Sequence, residues 1–101
     1  MKHFMCTHTF HSSQTREQFF KIYKGKTSRD WFSPINDSQV KCLSTWVGEQ
    51  DFWFCHWVAE KEELIHEKLE SLKGDRLFLT LAQEMRHFVT TSEPETVFIG
   101  E

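Results

Sequence analysis

Apolar and polar residues alternate along residues 2–10, KHFMCTHTF, and set Phe4, Cys6, His8 and Phe10 on one side of a first strand. His11, Ser12 and Ser13 break that pattern and supply helix caps. The period then changes: Phe19, Phe20, Ile22 and Tyr23 in QTREQFFKIYK recur at helical spacing, and Gly25 ends the helix. Residues 27–32 add a helical turn, and 34–38 have turn chemistry. Alternation returns in VKCLSTWV (40–47) and DFWFCHWV (51–58), whose short connection predicts an antiparallel hairpin. A second helix is expected over about 60–72, with Leu64, Ile65, Leu69 and Leu72 in one stripe, glutamates in its first turn and Gly74 as its C-terminal cap. Residues 75–81 fit either a helical turn or an extended segment. AQEMRHFVT (82–90) alternates as a fourth strand, and the terminal VFI is an expected accessory strand.

The order β-α-β-β-α-β is that of the ferredoxin-like split βαβ unit. The expected fold class is therefore α+β: a four-stranded antiparallel sheet, strand order 4-1-3-2, with two helices on one face. The 101 residues form one domain, with 90–101 as a tail or accessory strand. In this topology DFWFCHWV is a central strand, yet it is apolar on both parities. If Phe52, Phe54 and His56 face the helices, Trp53 and Trp57 lie on the uncovered face. Solvating those rings is costly, so a two-fold homodimer joined through the open sheet faces is expected, a dimeric α+β barrel.

Composition narrows the partners. Ten Phe and four Trp in so short a chain imply a bulky core, an aromatic-walled cavity or an aromatic interface. A net charge of −3 leaves no electrostatic footprint for nucleic acid. No apolar run reaches membrane-spanning length, so neither nucleic acid nor membrane is an expected partner. The polar, histidine-rich start does not read as a secretory signal, and three widely spaced cysteines suit reduced thiols in the cytoplasm.

Trp46, a short turn containing Asp51, and then Phe54-Cys55-His56-Trp57-Val58-Ala59 leading into a glutamate-rich helix resemble a group of small uncharacterised proteins in the dimeric α+β barrel superfamily. Those proteins show a strand ending in Cys, one residue, an aromatic, one residue and Ala, followed by such a helix, and some are described as nickel-binding. The resemblance covers residues 40–70. Leu72-Lys73-Gly74-Asp75 stands where the group often has a Pro-containing link, and no nickel ligand transfers residue by residue. The resemblance implies a pocket in the cleft between helices and sheet.

His8, His56 and His87 fall on neighbouring strands, each on a parity shared with apolar residues, and would look into that cleft if those parities face the helices. Imidazole exchanges a proton near neutral pH and binds transition metals. One reading is a small-molecule-binding protein or a cofactor-independent oxygenase or isomerase. Its proton acceptor would be His56 or His8, with Trp46, Phe54 and His87 lining the pocket. A second reading is a transition-metal protein of nickel type holding its ion with His8, His56, His87 and Cys6, and a third is a dimerisation module without catalysis. His66 shares a helix surface with Glu62 and Glu70. Arg16, Lys21, Lys24, Lys26 and Arg29 give the first helix and its exit a basic bias that suits an anionic ligand or simply a wet face. His3 and His11 are read as surface residues.

Overall fold

Ser12 opens the first helix with a capping box: its side chain accepts from the Thr15 amide, and its own amide donates to Thr15 Oγ1 at 3.0 Å. Thr27 and Asp30 repeat the device one helix later. In the computed structural model, which describes residues 1–100, these caps set an order of β1 (Lys2–Phe10), α1 (Ser13–Tyr23), α2 (Ser28–Phe32), β2 (Val40–Trp46), β3 (Phe52–Ala59), α3 (Glu62–Ser71), a 3-10 turn (Gly74–Arg76) and β4 (Phe78–Met85). The strands form one antiparallel sheet in the order β2-β3-β1-β4, which is the expected 4-1-3-2 read from the other edge. The architecture is α+β and compatible with the ferredoxin-like split βαβ unit. None of the helices is long and apolar enough to cross a membrane among the described residues.

The helices cover one sheet face. Phe4, Cys6, His8 and Phe10 of β1 lie there, as the alternation indicates, against Phe19 of α1 and Ile65 and Leu69 of α3. β3 is turned the other way from expectation. Trp53, Cys55, Trp57 and Ala59 are the buried set, at 0–1% exposure, while Phe52 and Phe54 are exposed on the opposite face with His56. Both parities of β3 are apolar, so its period does not choose a face. The choice falls to area: an indole offers more surface to bury than a phenyl ring, and the parity with both indoles contains no polar side chain. Cross-strand register agrees, because Cys6 pairs with Cys55, His8 with Trp53 and Phe4 with Trp57. The tryptophans therefore belong to the helix-covered core. The uncovered face carries Trp46, Phe52, Phe54, Leu79, Leu81 and Met85 instead, all exposed.

Two further differences have local causes. β4 begins at Phe78 and ends at Met85, about four residues earlier than the alternation of 82–90 suggests. The segment Leu77–Ala82 is apolar on both parities, which hides a strand period. The terminal VFI is exposed and forms no strand.

In β2 the register shifts between Cys42, opposite Trp57, and Ser44, opposite His56. Leu43 is left as the extra residue of a bulge, and the parity of everything after it is reversed. Thr45 comes to the helix side and Trp46 goes to the open face, opposite Phe54.

The end of α3 is closed by Lys73 rather than Gly74: Lys73 has φ 63°, and Gly74 opens the 3-10 turn. A Cβ on Gly74 would stand 2.9 Å from the Phe78 ring, so glycine is required there for close approach. Lys73→Gly relieves a left-handed backbone at a side-chain-bearing residue. The expected gain is about 0.5–1 kcal/mol once glycine's extra chain entropy is deducted, read as a higher urea midpoint with an unchanged slope. A lower midpoint would show that Lys73 holds this turn by contacts of its side chain.

Candidate functional site

The cleft between helices and sheet is walled by aromatic rings from α1 and α2. Trp31 packs edge to face on Phe19 and Tyr23, with centroids 5.8 and 5.0 Å apart, and Phe19 and Tyr23 are tilted against each other at 4.9 Å. Helical spacing brings Phe19 and Tyr23 together at i and i+4, and the short α2 presents Trp31 to them. These three rings separate two cavities and line both. One, of about 480 Å³, continues to Phe20, Thr45 and Val47 and has Lys24 and Lys26 in its wall. The other, of about 490 Å³, runs toward Ile35, Leu69 and Phe78, with Lys73 and Arg76 in its wall.

Trp31 is held in place by a hydrogen bond. Its Nε1–H donates to Thr45 Oγ1 at 2.8 Å, and that hydroxyl also bonds Cys55 Sγ at 3.2 Å and Cys42 Sγ at 3.5 Å. The bulge at Leu43 makes this possible, since it turns Thr45 inward. Cys42 is held below the usual thiol range, chiefly by hydrogen bonding from Cys55 and then from Thr45, while burial pushes Cys55 well up. Cys6 is pushed up to about 12 by burial and by the nearby Cys42 and Glu62. All three cysteines are free and buried, and act as small packing groups.

His8 lies on the helix side as expected, fully enclosed at 0% exposure. Its Nδ1 shares a 2.8 Å hydrogen bond with Thr80 Oγ1, and its ring packs on Trp53 at 4.2 Å and Phe78 at 4.9 Å. Burial, with a smaller effect from His66, lowers its pKa to about 3, so the imidazole is neutral across the physiological range. Nε2 is buried without a protein partner. His8 is not among the residues lining either aromatic cavity.

His56, expected in the cleft, is on the open face, where its Nε2 lies 2.9 Å from Nδ1 of His3. Its pKa is lowered by partial burial and then by His3. His87 lies beyond the end of β4, exposed and off the sheet. Trp46 and Phe54 do come together, but on the open face, where they line a shallow cavity of about 480 Å³ with Phe52 and Gln50. The proposed ligand set is thus divided: Cys6 and His8 beneath the helices, His56 through the sheet, His87 outside it. One ion cannot reach all four. Among the described residues no three His, Cys, Asp or Glu side chains converge as a metal set.

Several residues of interest were not singled out by pattern. Phe19 and Tyr23 read simply as an apolar helix stripe, and Thr45 as one polar position in a strand. His3 read as surface, although its place on the odd parity of β1 already put it on the face opposite His8. His66 does bond Glu62, at 2.9 Å, as its i,i+4 spacing suggests. No family model matches the chain, and neither a curated protein nor a solved structure matches it.

Proposed function

We propose that this chain is a small-molecule-binding protein of the dimeric α+β barrel type, taking a flat apolar or aromatic anion into the cavity beside Trp31. The observation that carries this reading is the three-ring wall of Phe19, Tyr23 and Trp31, fixed through Thr45 and bordered by Lys24 and Lys26. A preformed concave site with apolar walls and a few polar groups is what a small ligand requires. Burying about 150 Å² of a flat ring contributes roughly 4 kcal/mol, and the two ammonium groups favour a carboxylate or sulfonate at the rim. Binding is favoured over turnover. The buried imidazole that a proton-abstracting mechanism would use, His8, is made a weak base by its burial, with a pKa of about 3, and does not line this cavity.

Pairing of two copies through the open sheet face belongs to the same reading. Trp46, Phe52, Phe54, Leu79, Leu81 and Met85 form an apolar surface that a two-fold contact would cover. Sedimentation should give a two-chain species that Phe54→Glu converts to one chain; a single chain at high concentration would end the barrel reading.

The ligand reading is tested with 2-naphthoate, followed by calorimetry and by indole fluorescence. Saturable one-to-one binding is expected, weakened about tenfold, or about 1.4 kcal/mol, by Lys24→Glu with Lys26→Glu. Ser28→Trp, which puts an indole on the cavity's lining, should abolish it. Absence of saturable binding, or binding indifferent to all three substitutions, would overturn the assignment.

A further inference from the structure

The open sheet face holds a second cluster, at the end opposite Trp46. Its nucleus is the His3–His56 pair, with ring nitrogens 2.9 Å apart. The register supplies two more donors: Met5 stands directly opposite His56, and Met85 directly opposite His3. Directly opposed residues on one face have Cβ atoms about 4.5–5.5 Å apart, within reach of a flexible thioether. Phe88, from the segment after β4, stacks on His3 at 5.9 Å and packs against His56 at 5.2 Å. Lys41, two strands away from His3, is the one formally charged side chain among the strand positions of this face.

We propose that His3, His56, Met5 and Met85 form a binding site for a soft monovalent metal ion, Cu(I). The donor set decides the class of ion. Two imidazoles and two thioethers, with no carboxylate, suit Cu(I) and poorly suit hard, oxygen-seeking cations. The nitrogen pair needs little change. An ion about 2.0–2.1 Å from each nitrogen with tetrahedral angles asks for N···N about half an ångström wider than the present pair, a small rotation of two half-buried rings. The ring that now donates moves its proton to its outward nitrogen, and both facing nitrogens then offer lone pairs. Phe88 adds a partial apolar cover beside the two imidazoles. This inference is independent of the aromatic cavity; it shares Met85 with the surface proposed for pairing, so copper retention is read in Phe54→Glu as well as in the parent.

The test is titration of the whole chain with Cu(I) under anaerobic ascorbate, in competition with bicinchoninate. One equivalent should be retained, and X-ray absorption should show nitrogen and sulfur around the ion. His3→Gln and His56→Gln should each weaken retention about tenfold or more, the loss of about 1.4 kcal/mol or more. Met5→Leu with Met85→Leu, a volume-conserving change, should weaken Cu(I) to a similar degree and remove the sulfur signal, while Cu(II) held by the imidazoles changes little. The proposal is overturned if the parent retains no copper, or if the methionine variant competes as well as the parent. It is equally overturned if retention survives His3→Gln and is lost on replacing Cys42 and Cys55, which would assign the metal to the buried thiols.

Discussion

Acid should destabilise this protein most strongly through His8. His8 has an ordinary pKa of 6.5 once the chain is unfolded and about 3 in the folded state. Between those values the unfolded chain binds one proton more than the native one, so stability falls as pH falls. The contribution is intact above pH 6.5 and declines by about 1.4 kcal/mol for each unit below it, reaching roughly 4–5 kcal/mol near pH 3. That is a large part of the total stability of a domain this size. Urea melts at pH 7, 5 and 4 would measure it against His8→Leu combined with Thr80→Val, which removes both partners of the buried hydrogen bond. The double variant should lose stability on acidification by about 1.4 kcal/mol per unit less than the parent. Carboxylates such as Asp37, whose pKa is held at about 2 by Lys68 and by the Val40 and Gln39 amides, titrate in both proteins and cancel. Parallel pH profiles would mean that His8 accepts its proton in the folded state.

Trp53→Ala should destabilise by about 3–5 kcal/mol, the range for removing a large aromatic ring from a close-packed core. The indole is 1% exposed and touches His8, Phe10, Phe19, Trp31 and Phe78, with ring centroids 4.2–6.0 Å away. Its neighbour Phe54 is 36% exposed on the other face. Phe54→Ala, measured dilute enough for chains to be separate, should cost less than about 1 kcal/mol. The pair of melts reads directly which parity of β3 faces the helices. A larger loss for Phe54 than for Trp53 would turn the strand over and, with it, the placement of His56.

The same strand shows how much of the molecule can be read in advance. The helix starts at Ser12 and Thr27, the hairpin after residue 47 and the stripe of Leu64, Ile65 and Leu69 are local patterns. Caps, turns and periods act over a few residues, and they survive in the sequence as spacing. The α+β order and the strand order 4-1-3-2 follow from them. β1 was legible to the side chain, because Phe4, Cys6, His8 and Phe10 alternate against a more polar set.

Where both parities are apolar, local spacing has a period but no sign. β3 and β4 are of this kind, and there only packing against the helices chose the buried rings: Trp53 and Trp57 over Phe52 and Phe54, Phe78 and Ala82 over Leu79 and Leu81. One unpaired residue, Leu43, then reversed the rest of β2, taking Trp46 out of the cleft and bringing Thr45 in to hold Trp31. The candidate site suffered most from this. A site is made where side chains from distant strands meet, and His3 meets His56 only through a cross-strand register that neither segment encodes alone. Element types and their order were thus determined by the sequence itself, through short-range spacing. The faces, the bulge and the meeting of the imidazoles were decided by tertiary structure, because cross-strand pairing and the volume under the helices are properties of the whole chain.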